Sequence, residues 1–376
     1  MYICNFCNGF RNLNRGSAGE IEKAVDICKP NMNSCAHIAW LQAIENEATG
    51  QLSLEETGRL SRIVQNMPHA NVQTPRLVHL IGTREKDTAL KYLFPQNNTG
   101  RRGERSNVNL RVETDSFATD SPLIFADSNP FAGTCCCEPV DYPLCHKSVL
   151  HSVSWHQGWQ SIIDILYARL FFVFSDVVYI FADDFSSLRD ILLRLFSWID
   201  IGSASSLPAA IRPQLDIVTT EVNNLQLNEF LLTVHTNIQS RLVDSFSSVR
   251  IFRLAGSSLS PLARYQRLRE DIHIQSEESQ TLRCQNHCLF SAVHLDALFR
   301  HAVQHTSATI SQKFDFLMTM RLGNPIPGEL SNHLRNFLYL TERYKIPDDI
   351  VVSFISSGVL MNAFPPRMHR MLDLLV

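Results

Sequence analysis

The chain has 376 residues, of which 45% are hydrophobic and 19% charged, with a formal net charge of −3. These values exclude wholesale disorder, a collagen repeat and a basic nucleic-acid coat. The length accommodates one large domain or two to three smaller ones.

The start, Met1-Tyr2-Ile3-Cys4-Asn5-Phe6-Cys7, lacks the basic and apolar stretches of a secretory signal. The first segment, 1–72, is polar and contains cysteines. Helices are expected near Ala36–Ala48 and Ser53–Gln65, the second with Ser53 as a cap and Glu55 and Glu56 in its first turn. Cys4 and Cys7 have the spacing of a zinc half-site, which Cys28, Cys35 and His37 could complete as a closed structural site. Zinc is thus the one cofactor the composition of this segment suggests; the competing reading is ordinary thiols.

The second segment, 73–276, alternates short apolar runs with helical patterns. Strands are expected at Arg76–Ile81, Val108–Val112, Pro122–Ala126, Asp176–Ala182, Leu215–Thr219 and Ser248–Leu254. Helices are expected at Lys86–Phe94, Trp155–Phe174, Leu188–Ile199 and Ser260–Ile274. This alternation predicts an α/β fold with a mostly parallel sheet covered by helices. The apolar window Ile162–Phe181 holds Asp164, Arg169 and Asp176, so it reads as buried helix and strand and not as a membrane span. A cytoplasmic location and reduced cysteines are expected.

The third segment, 277–376, reads as an all-helical extension with helices at Thr281–Ser307, Ser311–Arg321, Leu330–Tyr344 and Asp348–Asn362. The extension is expected to pack on the sheet domain or on a partner.

The first strand ends Ile81-Gly82-Thr83-Arg84-Glu85-Lys86-Asp87-Thr88. A glycine, a lysine and a threonine stand where a phosphate loop would place them, but GxxxxGK[ST] is absent and two carboxylates occupy the loop. A polar strand-to-helix turn is the simpler reading. Thr74–Phe94 nevertheless resembles the first strand, loop and helix of the GTPase-like region that precedes the lipase domain in fungal patatin-like phospholipase proteins. Pro122–Asp127 resembles the strand ending in the Mg²⁺-side aspartate, and Leu166–Phe181 the helix–strand junction of that region. Leu215–Thr219 resembles the strand before the base-reading motif; Phe314–Arg321 and the stretch from Ser356 to Pro366 resemble the lead into the lipase. The likeness spans about 74–366.

That resemblance implies a P-loop-NTPase-like fold and a residual nucleotide site at Gly82, Lys86, Thr88 and Asp127. The departures imply loss of the chemistry. Asp127-Ser128-Asn129-Pro130 puts a proline where DxxG has its N–H-donating glycine. Thr220-Glu221-Val222-Asn223 lacks the lysine and aspartate of a guanine reader, and only Thr99 is available as a switch threonine. No GxSxG or DG[GA] lipase motif is present. The expectation is a non-catalytic, GTPase-like regulatory or interaction module working with a protein partner or a separate lipase domain, with no nucleic acid and no transmembrane segment. The alternatives are a divergent GTP-binding protein with weak Mg²⁺-dependent GTPase activity, the truncated product of a patatin-like lipid acyl hydrolase, and a zinc-dependent adaptor.

Other clusters read as structural. Cys135-Cys136-Cys137 with Cys145 and His146 suits a loop insertion. Cys284 and Cys288, around His287, are expected on one helix face within the core. His294, His301 and His305 share a helix face, and Asp183-Asp184 is expected to cap the helix that follows it.

Overall fold

The computed structural model describes residues 38–46, 49–97, 99, 108–132, 148–155, 162–202, 205–220, 230, 245–255, 259–286, 288–316, 318–319 and 328–363. The strands are β1 (Ala39–Glu45), β2 (Leu52–Glu56), β3 (Arg76–Ile81), β4 (Val108–Val112), β5 (Leu123–Ser128), β6 (Val149–Ser152), β7 (Val177–Phe181), β8 (Gln214–Thr219) and β9 (Ser248–Arg253). The helices are α1 (Arg59–Asn66), α2 (Arg84–Leu93), α3, α4 (Leu188–Ile201), α5 (Pro261–Gln285), α6 (Ala292–Ala308), α7 (Leu330–Tyr344) and α8 (Asp348–Ala363). Helix α3 is composite: Ile162–Leu166, a π turn at Tyr167–Phe171, and a last turn at Phe172–Phe174.

The strands form one nine-stranded sheet in the order β6-β2-β1-β4-β5-β3-β7-β8-β9. The run β5-β3-β7-β8-β9 is parallel, and β6-β2-β1-β4-β5 is antiparallel. The sheet is therefore mixed, where the alternation of strands and helices predicts a mostly parallel one. The antiparallel half is the part the sequence pattern hides. Ala39–Glu45 and Leu52–Glu56, read as helices, are strands that extend the sheet beyond β4. Ala, Leu, Gln and Glu favour helix locally, but burial on both faces and pairing with β2 and β4 override a weak propensity. Ser53 caps nothing; it pairs with Ser152 across the β2–β6 ladder. Helix α1 starts later, after Gly58, whose φ of 70° suits a residue without Cβ.

Two apolar layers cover the sheet. On one face, α1, α3, α4 and α6 contribute Leu60, Phe171, Leu195 and Phe299, with Trp40 stacked on Phe299 at 4.3 Å. On the other, α2 and α5 contribute Leu90, Leu93, Leu268 and Ile272 over Val78, Phe125 and Tyr179. The described part of the segment after residue 276 is mostly helical, as expected, but its helix breaks fall elsewhere. Helix α5 runs on to Gln285, and Ser291 starts α6 by accepting from His294 N–H. Cys284 and Cys288 consequently do not share a helix, since Cys288 lies beyond the α5 end. The segment read as helix Ser311–Arg321 contains an isolated bridge between Phe314 and Ser205. Among the described residues, no helix is long and apolar enough to cross a membrane.

A buried aspartate fastens α5 to the strand starts. Asp176 accepts from Leu77 N–H at 2.7 Å, from Ser279 Oγ at 3.1 Å and from Arg283 Nε at 2.6 Å. Both members of the ion pair are nearly inaccessible to water. Removing one partner of such a pair leaves the other charge uncompensated. Asp176→Ala is therefore expected to lower the unfolding free energy by about 3–5 kcal/mol. Urea unfolding measures this directly, and a loss below about 1 kcal/mol would contradict the assignment.

Candidate functional site

In open α/β sheets, ligands sit beyond the carboxyl ends of strands where the strand order reverses. Here the chain passes from β3 leftward to β4 and β5, then returns to place β7 on the other side of β3. The reversal lies at the end of β3, at Ile81 and Gly82. The sequence places its candidate phosphate loop at this same point.

The turn after β3 is closed by a residue from the neighbouring strand. Asp184 follows β7 in a short 3-10 turn, Ala182–Asp184. Its carboxylate accepts from Thr83 N–H at 2.6 Å, Glu85 N–H at 2.8 Å and Lys86 N–H at 3.1 Å. These are donors that a helix N-terminus leaves unpaired, and their dipoles favour an anion. Thr83 supplies no side-chain cap to α2, so Asp184 performs that role from about a hundred residues away. The approach is close: a Cβ on Gly82 would stand 2.5 Å from Asp184 Oδ2. Glycine is required there because the carboxylate occupies the space.

The lysine and aspartate of the expected nucleotide site are also engaged. Lys86 Nζ is buried and lies 3.2 Å from Asp127 Oδ1 and 3.3 Å from Asp87 Oδ1. Asp127, the penultimate residue of β5, also accepts from Arg111 and from Asn109 Nδ2. Burial pushes the Asp127 carboxyl up, but Lys86 and Arg111 outweigh it and hold its pKa below the usual carboxylate range. Asn109 and Arg111 reach it because β4 alternates and Asn109 pairs with Asp127 across the ladder. Thr88 lies away from this cluster; it is exposed and donates to the Arg84 carbonyl at 2.9 Å. Gly82, Lys86 and Asp127 thus converge, and Thr88 does not join them.

Asp183 faces the other way. It accepts from Thr219 Oγ1 at 3.0 Å and from Thr220 N–H and Oγ1 at 3.1 and 2.5 Å. The Asp183-Asp184 pair therefore ties β7 to both flanking strands at their carboxyl ends. It does not cap α4, whose N-cap is Ser187.

Beneath the turn lies a buried polar chain that no sequence motif signals. Tyr167 Oη donates to Ser128 Oγ at 2.8 Å, and Ser128 Oγ shares a hydrogen bond with His79 Nε2 at 2.9 Å. The π turn of α3 sets Tyr167 and Phe171 edge-on against His79, both at 5.4 Å. All three polar residues are within 1% of complete burial, which closes them to a substrate. Burial lowers the His79 pKa to about 3 despite the Asp127 charge, and Lys86 adds to the effect. His79 stays neutral.

The cysteine and histidine candidates Cys4, Cys7, Cys28, Cys35 and His37 lie outside the described residues, as do Cys135, Cys136, Cys137, Cys145, His146 and His287. So do Glu221, Val222 and Asn223 of the expected base-reading segment. Among the described residues, no three His, Cys, Asp or Glu side chains are grouped to hold a metal. His294 bonds Ser291 Oγ and His305 bonds the Gln312 carbonyl. No family model matches the chain, and neither does any curated protein.

Neutral His79 has a consequence for acid stability. Below pH 6.5 the unfolded chain takes up a proton that the folded chain refuses down to about pH 3. The stability is complete above pH 6.5 and is lost as the pH falls toward about 3. Replacing the ring by an untitratable amide, His79→Gln, is expected to reduce the stability lost between pH 7 and 5 by about 2 kcal/mol relative to wild type. Equal losses in the two proteins, measured by denaturant unfolding at both pH values, would contradict the assignment.

Proposed function

We propose that this chain is a non-catalytic GTPase-like module with a regulatory or interaction role, of the kind that precedes the lipase domain in fungal patatin-like phospholipase proteins. The observation that carries this reading is the Asp184 carboxylate in the N–H cradle at the start of α2. A nucleotide phosphate would need those donors. It would also meet Glu85, Asp87 and Asp127 nearby, and like charges about 4 Å apart repel by about 4 kcal/mol at an intermediate dielectric. Lys86, the natural counter-charge, is committed to Asp127 and Asp87.

The strand layout supports the GTPase-like part of the reading. Within β4-β5-β3-β7-β8-β9 the strand before the loop is central, and only β4 runs against the others. The position of Asp127 at the end of the strand beside the loop supports it as well. Pro130 supports the non-catalytic part, since it has no N–H for a γ-phosphate. In this reading the protein keeps the scaffold, because strands and helices hold it, and uses it to present surfaces to a protein partner or a lipase domain.

The test is equilibrium binding of fluorescent GTP and ATP analogues to the purified chain, with and without Mg²⁺. No binding is expected up to about 1 mM ligand, a free energy weaker than about −4 kcal/mol. Micromolar Mg²⁺-dependent GTP binding that disappears in Lys86→Ala would overturn the proposal in favour of a divergent GTP-binding protein.

A further inference from the structure

A polar cleft lies at the opposite end of the sheet from the Asp184 turn. Strand β4 is antiparallel to β5, and β5 is parallel to β3, so the end of β4 arrives beside the start of β3 at Arg76. The chain leaves β4 after Val112 and rejoins the sheet at Leu123. Helix α5 passes over this loop with Arg269, His273 and Glu277 at i, i+4 and i+8 on the facing side. Between helix and loop is a cleft of about 600 Å³, within the range of small-ligand sites. The loop wall is held in place. Glu113 N–H donates to the Leu123 carbonyl at 2.8 Å, and Leu123 N–H to Ser116 Oγ at 2.9 Å. Gln73 Nε2 donates to the Phe117 and Thr119 carbonyls at 3.0 and 2.7 Å. The cleft is therefore formed before a ligand arrives.

Its charges do not cancel. The carboxylates of Glu113, Asp115, Asp120 and Glu277 line it, against the guanidinium groups of Arg76 and Arg269. Arg76 is matched by Glu277 at 3.0 Å and Arg269 by Asp115 at 2.9 Å. Asp120 stands exposed on the rim, and among the described residues no cation pairs with it. Glu113 forms the floor, with its side chain only 3% exposed. Its Oε1 has only long contacts, to His273 Nε2 at 3.3 Å and Arg269 Nη2 at 3.4 Å. Its Oε2 is buried without a hydrogen-bond partner. Burial raises the Glu113 pKa, but His273, Ser116 and Arg269 outweigh it and hold the group below the usual carboxylate range. A buried, charged oxygen with no donor is costly unless something else supplies one.

We propose that this cleft binds an organic cation, a guanidinium or primary ammonium group, on the carboxylates of Glu113 and Asp120. The N–H groups of the cation supply the donors that Glu113 lacks, and its charge offsets the acidic excess. It takes the place of His273 Nε2, whose ring is 30% exposed and whose contact with Glu113 is long. Arg269 keeps its shorter contact with Asp115. A planar guanidinium matches both oxygens of one carboxylate at once. A metal ion is disfavoured, because among the described residues no three His, Cys, Asp or Glu side chains are grouped to hold one. An anion would meet the same acidic excess. The cation comes either from a free small molecule or from an arginine or lysine side chain of a partner protein.

Isothermal titration calorimetry on the full chain tests the proposal with two probes. Agmatine is a free small cation, and acetyl-arginine amide presents the arginine side chain as a protein would. One site with a dissociation constant below about 1 mM is expected. Comparable affinity for the two supports the proposal with a protein side chain as the occupant; binding of agmatine alone supports it with a free cation. Glu113→Gln should weaken binding by about tenfold or more. Asp120→Asn, at an exposed position, should weaken it about threefold while keeping the thermal midpoint of the wild type, which separates lost binding from lost folding. His273→Ala should bind at least as tightly as the wild type. No binding of either probe up to about 10 mM would overturn the proposal and leave water as the partner of Glu113 Oε2. Binding that neither Glu113→Gln nor Asp120→Asn weakens would overturn it as well.

Discussion

Three backbone N–H groups at the head of α2 need an acceptor, and the Asp184 carboxylate is that acceptor. The arrangement at the carboxyl end of the sheet depends on this pairing. It fixes Gly82 against the end of β7 and holds the start of α2 close enough for Lys86 to reach Asp127. Asp183 makes the matching connection to Thr219 and Thr220, so the two consecutive aspartates brace β3, β7 and β8 at one end. Asp176 braces the opposite end through Leu77, Ser279 and Arg283.

A strand-order reversal usually leaves a crevice, and a crevice lined by free N–H groups invites an anion. In this chain the anion is internal. Below it Tyr167, Ser128 and His79 bond one another, His79 Nδ1 is buried without a hydrogen-bond partner, and burial keeps His79 neutral. Charge at the site is balanced within the fold, by Lys86 and Arg111 on Asp127. A phosphate placed here would compete with Asp184 for N–H donors that are already bonded. This is the physical ground for proposing a scaffold in place of an enzyme.

The parallel half of the sheet was legible because each strand is a short apolar run bounded by turn residues. Arg76–Ile81 is an example, ended by Gly82. The antiparallel half was not, because Ala39–Glu45 is built from good helix formers and becomes a strand through its neighbours. At the site, Gly82 and Lys86 were legible from their place after a strand and Asp127 from the resemblance, and the three converge. Asp184 was visible only as half of an acidic pair. Local reasoning assigned it to the next helix, since nothing in a single sequence reports a cap supplied from about a hundred residues away. Arg111 and Asn109 carried a faint signal as the polar side of an alternating strand. His79, Ser128 and Tyr167 carried none, because their meeting depends on the π turn of α3.

The most direct measurement is the unfolding free energy of Asp184→Ala against wild type, each with and without millimolar Mg²⁺–GTP. The carboxylate caps three donors in a partly buried position, so its loss is expected to cost about 2 kcal/mol, with no recovery on adding nucleotide. Unchanged stability would mean that the cradle does not need Asp184. Full recovery by GTP would mean that the chain still carries a working phosphate site beneath its internal carboxylate.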